Sequence, residues 1–195
     1  MLELSVQEDR YKFNGDLESF HHSICNCEKC PLGKTRKNFV FGFGNAQAKI
    51  MFIGEAPGEQ EDLKGVPFVG RSGILLDKIL SEIDLTREDI YICNVLKCRP
   101  PKNRDPLPSE VEKCEPYLLK QIQIIKPNLI VALGRIAAGT ILRTNEPLKN
   151  LRNQIYKYAN IDLLVTYHPA ALLRNPNFKK SVWQDFKLIQ KEYLN

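Results

Sequence analysis

Four short apolar runs, at residues 49–53, 90–95, 129–133 and 163–166, constrain this chain more than any other feature. Each has the length of a β-strand and leads through a loop toward a segment of helical periodicity. Ile74, Leu75, Ile79, Leu80 and Ile83 recur at helical spacing after the first run. Ser109 and Glu112 form a capping-box pattern ahead of a helix carrying Leu118, Leu119, Ile122 and Ile125, and Pro116 is expected to bend or delay it. Ile136, Ala137, Thr140 and Ile141 predict a short helix after the third run. Val182, Phe186, Ile189 and Tyr193 predict a terminal helix after the fourth. Strands alternating with helices imply a parallel sheet covered on both faces, an α/β fold. At 195 residues, a single domain spanning the whole chain is expected.

In folds of this kind ligands bind beyond the C-terminal ends of the strands. Those ends read Gly54-Glu55-Ala56-Pro57-Gly58, then Asn94, then Gly134, then His168-Pro169. Taken singly, such residues make turns or face water. A carboxylate, an amide and an imidazole on one sheet edge define an active site. Composition adds little: 28 Lys and Arg against 23 Asp and Glu give a net charge of +5, compatible with a polyanionic partner only if the charge is clustered. The opening segment MLELSVQEDRYKFNGD has early acids and no apolar stretch, so no signal peptide is expected. The apolar runs are too short to span a membrane. A cytoplasmic protein with reduced thiols is the expectation.

Six cysteines in a reducing compartment point to metal or catalysis rather than disulfides. Cys27 and Cys30 form C-x-x-C, and Cys98 and Cys114 lie downstream, fifteen residues apart. Structural zinc more often uses two short pairs. Four thiolates with one wide spacing suit an iron–sulfur cluster at least as well. Cys93 falls inside a strand and reads as a small core residue; Cys25 competes as a ligand with poorer spacing.

Four segments carry a family resemblance. CEKCPLGKTRKNFVFGFGN at 27–45, GEAPGEQEDLKGVPFVGRSGILLDKIL at 54–80, NVLKCRPPKNRDPLPSEVEKC at 94–114 and HPAALLRNP at 168–176 resemble, in order, the motifs of family 4 uracil-DNA glycosylases. The resemblance implies a three-layer α/β/α sandwich with a four-stranded parallel central sheet. It implies a 4Fe–4S cluster on Cys27, Cys30, Cys98 and Cys114, and so favours iron over zinc. Two departures stand out: Ser72 occupies a position that is commonly Ala, and Ala56 stands where other uracil glycosylases place an Asp, so that Asp's role cannot be transferred.

The implied reaction sets roles for individual residues. A base inside a duplex must be flipped into a pocket before its glycosidic bond can be attacked. Phe68 resembles the aromatic that stacks on uracil, and Gly54 and Ala56 are further candidate substrate contacts. Asn94 can donate to uracil O4 and accept from N3–H, a pattern that cytosine inverts. Glu61 resembles the residue that closes the pocket near C5. His168 is placed to donate to O2 as negative charge develops there. Glu55 or Asn103 orients the attacking water, an alternative the sequence leaves open. With no lysine placed as a Schiff-base nucleophile, a monofunctional enzyme leaving an abasic site is expected. Leu172, Leu173 and Arg174 form an apolar wedge and its following cation. Lys97 and Arg99, with Lys102 and Arg104, surround Cys98 as candidate phosphate contacts. The expected partner is uracil-containing DNA, single- or double-stranded, bound by a monomer; a sliding clamp stays open as a further partner. The competing readings are a non-catalytic iron–sulfur module that senses lesions and a structural zinc protein.

Overall fold

A computed structural model describes residues 13–194. The first twelve residues, part of the segment read above for a signal peptide, lie outside the described residues. Six strands, β1 (Phe43–Gly44), β2 (Ile50–Gly54), β3 (Tyr91–Asn94), β4 (Leu129–Leu133), β5 (Ile155–Tyr158) and β6 (Ile161–Thr166), form one sheet in the order β1-β3-β2-β4-β6-β5. The four predicted runs are β2, β3, β4 and β6, and they are mutually parallel. The sheet is nevertheless mixed and six-stranded rather than four-stranded, because β1 and β5 add antiparallel edges. Neither edge announces itself as an apolar run. β1 pairs only two residues, and in β5 Tyr158 alone is buried. Ala159 and Asn160, both at positive φ (51° and 62°), make the tight turn from β5 into β6.

Alternation along the central strands sends side chains to two separate cores. Met51, Ile53, Cys93, Ile130, Ala132, Leu163 and Val165 face helices α1 (Leu17–Ile24), α5 (Pro108–Ile125) and α6 (Arg135–Leu142). Ile50, Phe52, Ile92, Leu129, Val131 and Leu164 face α4 (Arg71–Ser81), α8 (Pro169–Arg174) and α9 (Lys179–Ile189). Cys93 is thus a core residue, fully buried. Three short helices, α2 (Leu32–Thr35), α3 (Glu59–Lys64) and α7 (Leu148–Leu151), are the remaining α-helices among the described residues. Truncating a core side chain such as Phe52 to Ala would cost about 3–5 kcal/mol.

Two local expectations are corrected. α5 begins at Pro108, and its first turn is capped by Glu110, whose Oε2 accepts the Leu107 N–H at 2.9 Å, rather than by Ser109 and Glu112. Pro116 does not delay α5, which starts well before it. Pro is favoured at a first helical position, and this explains the earlier start. The helix ends where Lys126 turns left-handed (φ 53°) ahead of Pro127.

Candidate active site and cysteine centre

The C-terminal ends of the parallel strands open on a cavity of about 290 Å³, at the small end of the range for ligand clefts, about 300–1,000 Å³. Glu55, Ala56, Glu61, Phe68, Asn94, Asn103, His168 and Arg174 all line it, together with Ser72 and Arg104. Residues scattered over more than a hundred positions therefore meet in one place. Val95 N–H donates to Gly54 carbonyl oxygen at 2.9 Å, and Leu96 N–H to that of Glu55 at 3.0 Å, so the β2 and β3 ends are stitched together. Gly54 lies beneath: a Cβ there would collide with Asn94 Oδ1 and come within 2.6 Å of Phe68 Cζ.

Asn94 is buried, and its side-chain amide has no hydrogen-bond partner among the described residues. No deeply buried side-chain nitrogen or oxygen lacks a partner among those residues. The Asn94 amide therefore opens to the cavity, available to a ligand. His168 begins α8, and its Nδ1 accepts the Ala170 N–H at 3.1 Å. Burial first, then Arg174, lowers its pKa to about 4. The imidazole is neutral near pH 7, with Nδ1 as acceptor and Nε2–H left as the donor. Gly134, at φ 91°, permits this approach, since a Cβ there would lie 2.8 Å from His168 Cβ.

Phe68 stacks beside His168 with ring centroids 5.4 Å apart. Its backbone sits at φ 54°, a left-handed conformation that a bulky residue adopts only when held there. Three groups do the holding. Glu61 Oε1 accepts the N–H groups of Val69 and Gly70 at 2.9 and 2.8 Å. Arg87 donates to the carbonyls of Pro67, at 3.0 Å, and Phe68, while Asp77 anchors Arg87 at 2.6 Å. Gly73 makes room, because a Cβ there would strike the Phe68 carbonyl. Glu61 thus lines the cavity chiefly as the anchor of the Phe68 loop.

Glu55 is half-buried, and its pKa is raised to about 7 by burial first and by Asp105 second, with Arg135 opposing. Arg135 also pairs with Asp105 at 3.1 Å. Asn103, at the exposed rim and at φ 54°, has its Oδ1 held by Arg99 Nε at 2.8 Å. Arg99 also reaches Glu59 at 3.6 Å, so it braces the rim as much as it presents charge.

Three of the DNA-contact expectations are corrected. Lys97 is fully buried, with its ammonium donating to Asn94 carbonyl oxygen and Gln121 Oε1, so it cannot reach a phosphate. Leu172 is buried in the core against α4 and α9, which leaves Leu173, at 44% exposure, and the exposed Arg174 at the surface of α8. Arg104, also expected to meet phosphate, is locked in a two-pronged pair with Glu110 at 2.6 and 2.9 Å.

The four expected cysteines gather on the other side of the Asn94 segment. Burial pushes Cys98 up to about 11 and Cys114 up to about 12. Cys30 and Cys27 raise Cys98 further, and Cys98 and Cys30 raise Cys114, as neighbouring thiols would. Donors point at three of the sulfurs: Arg36 Nη1 at Cys98 Sγ (3.4 Å), Lys97 N–H at Cys114 Sγ (3.3 Å) and Tyr117 hydroxyl at Cys27 Sγ (3.3 Å). Such donors stabilise thiolates, and buried thiols of this kind ionise when a metal binds them. Among the described residues no three His, Cys, Asp or Glu side chains converge closely enough for one ion. The chemistry of the donor set, four thiols with hydrogen-bond donors aimed at three of them, fits a metal centre. Cys25 instead donates its thiol to the His22 carbonyl. Arg36, holding the carbonyls of Cys25 and Cys27 as well as Cys98, escaped the sequence reading, as did Arg87 and Asp77. Tyr117 carried a usable signal: it stands one helical turn past Cys114.

A doubly covered sheet whose strand ends present an aromatic, an amide, a neutral imidazole and a half-buried carboxyl to one small cavity defines a base-recognising α/β enzyme. The sequence profile of the uracil DNA glycosylase superfamily matches residues 41–187. A type-4 uracil-DNA glycosylase of Archaeoglobus fulgidus is 47% identical over 181 residues, covering 89% of this chain and 91% of the relative. One from Thermotoga maritima is 45% identical over 161 residues, covering 82% and 84%. A type-5 uracil-DNA glycosylase of Thermus thermophilus is more distant, at 30% identity over 65% of this chain. The chain belongs to the uracil DNA glycosylase superfamily and, within it, to the family 4 enzymes. Members of that family carry a metal cofactor. No helix among the described residues is long and apolar enough to cross a membrane.

Proposed function

We propose that this protein removes uracil from DNA by hydrolysing its N-glycosidic bond and leaves an abasic site. The observation that carries this reading is the unpartnered Asn94 amide, aimed into the same cavity as Phe68 and the His168 Nε2–H. An extruded base stacks on Phe68, a face that any flat base can use. Asn94 supplies selection: its amide N–H meets O4 and its carbonyl accepts N3–H. Cytosine leaves both groups unpaired, which can reject it by about 10⁴ or more. As the bond breaks, negative charge grows on the base, and His168 donates to O2. One such donor is worth about 3 kcal/mol to the transition state. The imidazole needs no proton for this, in keeping with its lowered pKa.

Glu55 is the better candidate to orient and activate water. Its pKa near 7 suits a general base. The Asn103 Oδ1 is already engaged by Arg99, which supports Glu55 over Asn103 in this role. Ionised Glu55 also favours positive character on the sugar. Leu173 and Arg174 are the candidate wedge and cation that hold the vacated space in a duplex. Cys27, Cys30, Cys98 and Cys114 would hold a 4Fe–4S cluster. Hydrolysis needs no electron, so the chemistry such a cluster supplies is structural bracing of the loop between Asn94 and Arg104.

Uracil release from single-stranded and U·G-containing oligonucleotides, by protein purified with its metal, tests the reading. Release with intact strands is expected. Tight binding of uracil DNA without turnover would replace the enzyme by a lesion-sensing module.

A further inference from the structure

Lys97 is an ammonium with no exposure at all, a placement rare for lysine unless it is paired. Its Nζ donates to Asn94 carbonyl oxygen at 2.7 Å and to Gln121 Oε1 at 2.5 Å. Gln121 is itself fixed, its Nε2 donating to the Phe41 carbonyl at 2.9 Å and the Tyr91 hydroxyl at 3.1 Å. Every oxygen around the ammonium is neutral, and among the described residues no carboxylate pairs with it. A buried charge without a counter-charge is strongly disfavoured. The other polar neighbours of residue 97 are sulfurs: Cys93 meets its side chain and Cys114 its backbone. The Lys97 N–H donates to Cys114 Sγ at 3.3 Å, and Cys98 is the next residue. Residue 97 thus touches the base-reading segment through its side chain and the cysteine centre through its backbone.

We propose that Lys97 is a positioning residue that ties the base-reading Asn94 to the cysteine centre, its ammonium fixing the Asn94 carbonyl and its backbone N–H bound to Cys114 Sγ. The inference rests on the uracil-reading and metal-binding roles proposed above. The Asn94 amide must be held within a few tenths of an ångström to read an edge by two hydrogen bonds. The Val95 N–H ties one side of the Asn94–Val95 peptide to Gly54, and the Lys97 Nζ holds its carbonyl from the other.

The test uses the metal-loaded full-length protein and two neutral substitutions of similar length, Lys97→Met and Gln121→Met. Inhibition by free uracil reports base reading without DNA. Binding of an oligonucleotide bearing a tetrahydrofuran abasic analogue reports DNA contact without the base. Loss of the charge-assisted bond in Lys97→Met is expected to weaken uracil inhibition and raise KM on the order of tenfold, with a smaller fall in kcat. Affinity for the tetrahydrofuran DNA stays at the wild-type value, because the side chain faces no phosphate. Gln121→Met keeps the ammonium but frees it on one side, and shifts uracil inhibition the same way by a few-fold. If Lys97→Met fails to fold, Gln121→Met carries the test alone. A folded, iron-loaded variant of either kind that binds free uracil as tightly as wild type overturns the proposal. Wild-type protein that releases no uracil or holds no iron would instead overturn the functional reading beneath it.

Discussion

The raised pKa of Glu55 makes the pH dependence of the reaction calculable. The group lies near 7 instead of its ordinary 4.5, because burial and the neighbouring Asp105 both disfavour its charge while Arg135 opposes them only partly. If the ionised form orients the water, kcat/KM follows the ionised fraction. It then reaches half its plateau at about pH 7, about a tenth at about pH 6 and about a hundredth at about pH 5. His168 adds no opposing limb in that window, since it is neutral above about pH 4. Single-turnover release from a single-stranded uracil oligonucleotide, measured from about pH 5 to pH 9 at fixed ionic strength, gives the profile. Glu55→Gln should be slow and flat across it. The same group has a thermodynamic signature of opposite sign. Between 4.5 and about 7 the folded state binds more protons here than the unfolded one, so this contribution to stability falls as pH rises through that interval. Glu55→Gln should therefore melt above wild type at about pH 8 and not at about pH 5. A wild-type rate that is already level from about pH 5 upward, or a variant that keeps the wild-type slope, refutes the assignment.

Three other substitutions probe separate parts of the site. Asn94→Asp replaces the donor opposite O4 with an acceptor and should cut uracil release on the order of 10²-fold while eroding preference over cytosine; paired uracil and cytosine oligonucleotides measure both. Gly73→Ala drives a methyl group into the Phe68 carbonyl, and should lower stability by about 1–3 kcal/mol and raise KM as the aromatic loop shifts, read by thermal melting alongside steady-state kinetics. Leu173→Ala removes the exposed leucine of α8, so release from U·G duplex should fall more than release from single strands, and an unchanged ratio would remove the wedge.

The residues that carry chemistry were legible because they sit at the ends of apolar runs. Gly54 and Asn94 close β2 and β3, His168 stands two residues past β6, and a parallel strand fixes where its end points. The edges were not legible. β1 owes its place to antiparallel pairing with β3 rather than to any pattern of its own, and β5 alternates as a half-exposed strand does. The basic loop misled for a related reason. Lys97 and Arg104 look like solvated cations in a Lys- and Arg-rich stretch, yet one is buried beneath Asn94 and the other is held by Glu110. Charge in a sequence gives no sign of the acceptors that folding brings to it. Arg87, nineteen residues past the Phe68 carbonyl it grips, was invisible for the same reason.

The positioning groups explain why so much of the chain outside the cavity matters to it. A left-handed Phe68 costs on the order of 1–3 kcal/mol in backbone strain, and Glu61, Arg87 and the open space at Gly73 are what make that conformation the stable one. His168 rests on a comparable arrangement. The strand that delivers it ends at Thr166, whose hydroxyl bonds Asp185 at 2.5 Å, and Asp185 is paired in turn with the buried Arg152. Breaking one side of such a pair costs about 3–5 kcal/mol, far more than a turn residue would. The fold thus anchors each of the three groups proposed to meet the base through a second element remote in sequence: Phe68 through α4 and Arg87, Asn94 through α5 and Gln121, His168 through α9 and Asp185. A planar base read by two hydrogen bonds and one stacking face needs all three walls fixed before it arrives. In this protein that rigidity comes from α4, α5 and α9, of which only the first turn of α4, at Ser72, lines the cavity.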